Sequence, residues 1–196
     1  MKRLGDQTMD FEKDIVNCLE VLKNGGIILY PTDTIWGIGC DATNEEAVNK
    51  IIALKQRPQQ KSFVVLVTTE KDILQYTASP DLAVFDYLQT ITKPTTVIYE
   101  HALGLAQGVI NEDGSVAIRI CKDEFCRHLI RRFRKPIVST SANISGEPSP
   151  QNYAHISRTI KLGVDYSVNY RQNDSDLRTA SAIIRWQNGQ AEIIRP

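Results

Sequence analysis

A few stretches of this sequence combine hydroxyls and cations with hardly any carboxylates: Thr32 and Thr34, Lys55 and Arg57, Ser115 and Arg119, and the run from Ser139 to Asn143. A guanidinium grips a carboxylate or phosphate through two parallel N–H bonds, an ammonium adds a point charge, and short hydroxyls donate to the same oxygens without bulk. The inventory suits a small anionic ligand. Each pair also has an ordinary structural use, because Thr32 and Thr34 follow Pro31 in a turn, Lys55 and Arg57 end a helix, and the serines can satisfy loop backbone. A functional reading therefore requires several of them to meet in one place.

Other chemistries are poorly served. No G-x-x-x-x-G-K-[ST] loop is present, which excludes a P-loop. Gly37-Ile38-Gly39-Cys40-Asp41-Ala42 has the spacing G-x-G-x-x-A. It does not directly follow a strand, however, and no acidic residue lies about 20 positions further on at a second strand end. There is no G-x-S-x-G elbow, and His101, His128 and His155 offer Ser139 or Ser141 no evident base. Cys18, Cys40, Cys121 and Cys126 are dispersed and read as reduced thiols; with no C-x-x-C pair and no H-E-x-x-H helix, no metal ligand set is expected.

The elements that must position these residues follow from hydrophobic periodicity. Residues 10–24 place Phe11, Ile15, Leu19 and Leu22 at helical spacing, and Gly25-Gly26 stops the pattern before the strand Ile27-Ile28-Leu29-Tyr30. Thr43-Asn44-Glu45-Glu46 has the order of a capping box and opens a helix that runs through Val48, Ile51 and Ile52 to Lys55, with Pro58 forbidding its continuation. Residues 63–67 are unbroken apolar sequence, suited to a strand covered on both faces, and residues 95–99 read as another strand. Val116, Ile118 and Ile120 alternate with Ala117 and Arg119, so parity puts Ser115, Ala117 and Arg119 on one strand face. Phe125, Cys126, Leu129, Ile130 and Phe133 form a helical stripe, and Ile137-Val138 begins a strand. Ser149-Pro150 predicts a helix start near Gln151, and residues 181–185 and 191–194 read as closing strands. Helices alternating with strands predict one α/β domain over residues 1–196, around an open, twisted, mixed sheet.

Composition narrows the partners. The chain has 196 residues, 42% of them hydrophobic, and its 23 Lys and Arg balance its 23 Asp and Glu, so disorder and a wholly basic surface are both excluded. The run Arg127-His128-Leu129-Ile130-Arg131-Arg132-Phe133-Arg134-Lys135 motivates a competing reading as an RNA-binding module with possible tRNA contact. The stripe leaves those arginines on an outer helix face, and the zero charge balance lacks the footprint of a dedicated binder. No apolar run approaches the roughly 18 to 20 residues that cross a bilayer, and the first residues lack the apolar core of a signal peptide. A cytoplasmic location without membrane contact is expected.

Four stretches taken together carry a resemblance. They are the run Pro31-Thr32-Asp33-Thr34-Ile35-Trp36-Gly37-Ile38-Gly39-Cys40-Asp41-Ala42, then Lys55-Gln56-Arg57-Pro58, then Ser115-Val116-Ala117-Ile118-Arg119, then Ser141-Ala142-Asn143-Ile144-Ser145-Gly146 with Ser149-Pro150. In order and spacing, across most of the chain, they resemble the threonylcarbamoyl-AMP synthase (YrdC-like) family. The resemblance implies a YrdC-like α/β fold with flanking helices and a concave basic cavity. It also implies synthesis of threonylcarbamoyl-AMP from L-threonine, bicarbonate and ATP, with loss of pyrophosphate and water. Mg²⁺ would ride mainly on the ATP phosphates. A separate tRNA threonylcarbamoyl transferase would take the product to N6-threonylcarbamoyladenosine in tRNAs that read codons beginning with A.

By the same resemblance, Thr34, Arg119, Ser139 and Ser181 would hold threonine, with Arg119 on its carboxylate. Lys55 and Arg57 would grip the phosphates and carry the catalytic charge stabilisation, with Lys61 nearby. Ser115, Ser141, Asn143, Ser149 and Arg195 would serve the nucleotide. The sequence departs from the family pattern at Leu66, where a histidine is usual near the threonine pocket, and at Ala182, where a threonine usually follows Ser181. Those departures keep open a paralogue acting on another small amine or acid.

Overall fold

The unbroken apolar run at residues 63–67 has no polar face, and the fold gives it neighbours on both edges. In the computed structural model, which describes residues 11–56 and 63–196, strand β3 (Val64–Val67) pairs in parallel with β5 (Val116–Ile120) and antiparallel with β6 (Ile137–Ser141). Val65, Leu66 and Val67 are buried. β6 continues antiparallel to β2 (Gly37–Gly39), which pairs antiparallel with β1 (Ile28–Tyr30), itself parallel to the short β7 (Tyr166–Ser167). On the other side β5 pairs antiparallel with β4 (Thr95–Tyr99), β4 in parallel with β8 (Ala182–Gln187), and β8 antiparallel with the edge strand β9 (Gln190–Arg195). The order β7-β1-β2-β6-β3-β5-β4-β8-β9 is a nine-stranded mixed sheet among the described residues. The α/β class and the mixed sheet expected above are found.

Helices cover the sheet. The periodic stripe of α1 (Glu12–Lys23) buries Ile15, Cys18 and Leu22, and that of α5 (Glu124–Phe133) buries Phe125, Cys126, Leu129, Ile130 and Phe133. The two helices pack together, with Phe11 edge-on to Phe125 at 5.6 Å between ring centroids. α2 (Glu45–Lys55) packs against a 3₁₀ turn (Gln107–Val109) and against α6 (Arg158–Gly163). α3 (Glu70–Tyr76) and α4 (Ala83–Thr90) fill the connection between β3 and β4.

Several local expectations are corrected. Asn44, not Thr43, caps α2 by accepting the Ala47 N–H at 3.1 Å, because Thr43 is already bonded to Asp41 through both its N–H and its hydroxyl. Ser149-Pro150 starts no helix. Asn152 caps a short 3₁₀ turn (Tyr153–His155) and Ser157 caps α6, each offering a side-chain acceptor where the helical N–H groups begin. Ser115 and Ser181 each stand just before their strands. Gly37-Ile38-Gly39, part of the apparent glycine-loop spacing, is a strand: the Tyr30 ring crosses it so closely that a Cβ on Gly39 would lie 2.6 Å from Tyr30 Cε1.

Candidate active site

The register of the central strands brings dispersed residues onto one face. Val64 lies opposite Ser139, Leu66 opposite Arg119, and Gly37 opposite Ser141. At their ends opens a cavity of about 190 Å³ lined by Thr34, Arg119, Ser139, Ser141, Ser149, Ser181 and Arg195. Ile35, Trp36, Gly37, Val64, Thr140, Ala180 and Ile183 complete its walls. Seven residues singled out from the sequence thus line one cavity, although more than 160 positions separate the first from the last.

Each wall is fixed locally. The loop carrying Thr34 is held by its own bonds: Thr32 Oγ1 donates to Ile35 O at 2.8 Å and accepts the Thr34 N–H at 3.0 Å. The Cys126 thiol of α5 donates to Pro31 O at 3.3 Å and ties that loop to the helix layer. Burial pushes the Cys126 thiol well above its ordinary value, so it stays protonated and able to donate. Ser181 shares a hydrogen bond with Thr96 across β4 (Oγ–Oγ1 2.8 Å), and its carbonyl accepts from Arg195 Nε at 3.1 Å and Nη2 at 2.7 Å. Partial burial, and then the nearby Arg119 charge, draw the Arg195 guanidinium below its usual value. Beneath the floor, Tyr30 donates its phenol proton to Val138 O at 3.1 Å, and burial raises that phenol far above its ordinary range.

Arg119 is 4% exposed and sits 3.0 Å from Asp33 through Nη2 and Oδ1, an ion pair that sequence reasoning missed. Asp33 belongs to the Pro31-Thr32-Asp33-Thr34 run, but no letter pattern marks a carboxylate as partner of a strand arginine 86 positions on. The two cations and the hydroxyl ring make a surface suited to oxyanions, with Val64 and Ile183 as an apolar flank. Leu66, where a histidine was expected by resemblance, is fully buried in register with Arg119, and Val64 is the β3 residue at the cavity wall.

The remaining site residues are placed elsewhere. Lys55 is 1% exposed, and its ammonium donates to Ser141 O, to Asn143 O at 2.6 Å and to Asn143 Oδ1 at 3.3 Å. It therefore braces the segment after β6. Asn143 donates in turn to Glu147 O at 2.6 Å. Ser115 is buried at the start of β5, donating its hydroxyl to Asp113 Oδ1 at 2.6 Å and accepting from Asn111 Nδ2 at 2.9 Å, and it does not line the cavity. Arg57 and Lys61 lie outside the described residues. On α5, Arg132 is paired with Glu12 at 2.7 Å, and just beyond the helix Lys135 is paired with Asp41 at 2.6 Å. No described helix is long and apolar enough to cross a membrane.

An open mixed α/β sheet with a hydroxyl- and arginine-lined cavity at its strand ends defines the class. The profile of the Sua5, YciO and YrdC family, described as telomere recombination, matches residues 20–196, so the chain belongs to that family. It is 29% identical over 183 residues to a threonylcarbamoyl-AMP synthase of Psychromonas ingrahamii, covering 91% of this chain and 95% of that protein. Among solved structures it is similar to P. abyssi Sua5 complexed with L-threonine, with a TM-score of 0.83, 22% identity, and 94% of this chain aligned. It is also similar to E. coli YciO, with a TM-score of 0.76, 17% identity, and coverage of 93% and 88% of the two chains. The chain spans about half the length (54%) of the P. abyssi protein. These structural likenesses carry the fold.

Proposed function

We propose that this protein is a threonylcarbamoyl-AMP synthase that joins L-threonine, bicarbonate and ATP and releases pyrophosphate. The observation that carries the reading is the convergence of Thr34, Arg119, Ser139, Ser141, Ser149, Ser181 and Arg195 on one cavity. Support comes from the similarity to the Psychromonas ingrahamii synthase along nearly all of both chains, and from the threonine complex of the P. abyssi relative.

In this reading Arg119 takes the amino-acid carboxylate, and Thr34, Ser139 and Ser181 take its hydroxyl and amine. Ser141, Ser149 and Arg195 face the nucleotide. The neutral amine adds to bicarbonate with loss of water, or to carbon dioxide with loss of a proton, and an oxygen of the resulting carbamate attacks the α-phosphorus of ATP. The α–β phosphoanhydride bond breaks, and pyrophosphate leaves with the electron pair. Such a reaction asks for alignment more than covalent help; holding reactants together supplies up to about 7 to 11 kcal/mol in ideal intramolecular cases. Arginine charge aimed at the growing phosphate charge adds to that. Arg57 and Lys61 follow the buried Lys55 in sequence and are proposed as phosphate ligands on the motif alone. The lining hydroxyls and guanidiniums suit phosphate oxygens rather than a cation, so Mg²⁺ would be carried by the ATP phosphates and water, where it neutralises charge on the leaving group.

Pyrophosphate release measured with each substrate omitted in turn tests the proposal. Release that needs threonine, bicarbonate and ATP together is expected. Release that another amino acid supports better than threonine would instead make the protein a paralogue of different amine specificity.

A further inference from the structure

A buried guanidinium needs both a countercharge and a fixed direction, because its donors lie in a rigid plane. Arg119 meets Asp33 at 3.0 Å, with side chains 4% and 13% exposed. The contact is electrostatic and not a hydrogen bond: Arg119 Nε, Arg119 Nη2 and Asp33 Oδ1 are all buried without a hydrogen-bond partner among the described residues. Nε and Nη2 form one edge of the guanidinium, the edge that grips a carboxylate through two parallel bonds. Asp33 Oδ1 lies against Nη2 of that edge, so the carboxylate fixes where the guanidinium stands at the cavity wall. Asp33 is held by its chain on both sides, through the Cys126 thiol on Pro31 O and the Thr32 bonds to Ile35 O and Thr34 N. The other cavity cation, Arg195, is occupied with the Ser181 carbonyl.

We propose that Asp33 is a positioning residue: its carboxylate fixes the Arg119 guanidinium at the cavity wall, and so sets the affinity for the substrate carboxylate. The kinetic consequence rests on the amino-acid reading given under Proposed function, whereas the structural consequence does not. Asp33→Asn keeps the shape and removes the charge; Asp33→Glu keeps the charge at a different reach and takes its place should the first variant unfold. In ligand-free protein labelled with ¹⁵N-arginine, slow rotation should keep the Arg119 Nη signals resolved, and Asp33→Asn should average them.

In steady-state assays, Asp33→Asn should raise the KM for threonine about tenfold, the scale of one charge-assisted contact, while kcat and the KM for ATP stay within about twofold. Asp33→Glu should recover part of the loss. Arg119 Nη signals that stay resolved in Asp33→Asn, or an unchanged threonine KM in an active variant, would overturn the proposal. Averaged signals together with no threonine turnover in the native protein would leave Asp33 as the positioning residue and sink the amino-acid reading instead.

Discussion

Lys55 Nζ donates to Asn143 O at 2.6 Å, joining the last residue of α2 to the segment that follows β6. The same ammonium bonds Ser141 O, and Ser141 lines the cavity. A lysine that reads from the sequence as a phosphate ligand is, in the fold, also bonded to the backbone of the cavity wall.

Lys55→Ala should therefore cost stability as well as activity. Removing the ammonium leaves the buried Asn143 carbonyl and the half-buried Ser141 carbonyl without this donor, and a buried unsatisfied group costs about 1 to 3 kcal/mol. For a chain of this size a loss of about 3 kcal/mol lowers the melting temperature by roughly 6 to 12 °C. Thermal denaturation followed by circular dichroism checks this. A native melting temperature with abolished turnover would restore Lys55 to a purely chemical role.

Ser115→Ala should leave ATP use intact. The hydroxyl is committed to Asp113 and Asn111, away from the cavity, so the KM for ATP should stay within about twofold, less than the loss of even one ordinary hydrogen bond to a ligand would give. A tenfold rise would place nucleotide contacts at the start of β5. Parity puts both residues on one face, yet Arg119 lines the cavity and Ser115 does not, for one physical reason: alternation tells which face of a strand a residue occupies, not which end of the strand reaches the cavity.

The same limit governs the rest of what the sequence made legible. Periodicity found α1, α2, α5 and the central strands because their apolar stripes are long. It passed over β2 because two glycines in three residues carry no strand propensity; the close approach of β6 and, at Gly39, of the Tyr30 ring shows in the fold what a side chain there would meet. The Asp33–Arg119 pair joins a loop to a distant strand and leaves no periodic trace. Thr34, Ser139 and Ser181 were legible through resemblance, and their shared cavity only through topology.

Gly39→Ala tests that packing. A Cβ there would press on Val138 O, Tyr30 Cε1 at 2.6 Å and Ile137 Cγ2 at 3.0 Å, so the strand or the ring must shift. Overpacking of a close-packed interior costs about 1 to 3 kcal/mol, visible as a lower denaturant midpoint with an unchanged slope. An unchanged midpoint would mean that both the β6 backbone at Val138 and the Tyr30 ring have room to move.

Acid should weaken the anchoring of α1 through Asp14. Burial alone would raise the pKa of this carboxyl, but hydrogen bonds from the Tyr166 hydroxyl, from the Asn169 and Tyr170 N–H groups and from the Asn169 amide outweigh it, leaving the carboxyl below its usual value. A group depressed in the folded state stabilises fully above its unfolded pKa of about 3.9 and loses that contribution as pH falls through the lower native value. Asp14→Asn should thus be less stable than the native protein at neutral pH, with the gap closing below about pH 4. A gap independent of pH would show that shape and not charge makes the contact.

Mass spectrometry of the products formed from ATP, ¹³C-bicarbonate and L-threonine, by the native protein and by Arg119→Ala, tests the central claim most directly. The account predicts threonylcarbamoyl-AMP carrying a single ¹³C, and its near absence from the variant at threonine concentrations that saturate the native enzyme. A native protein that forms no labelled adenylate, or an Arg119→Ala variant that forms it as readily, would contradict the assignment of this cavity to that chemistry.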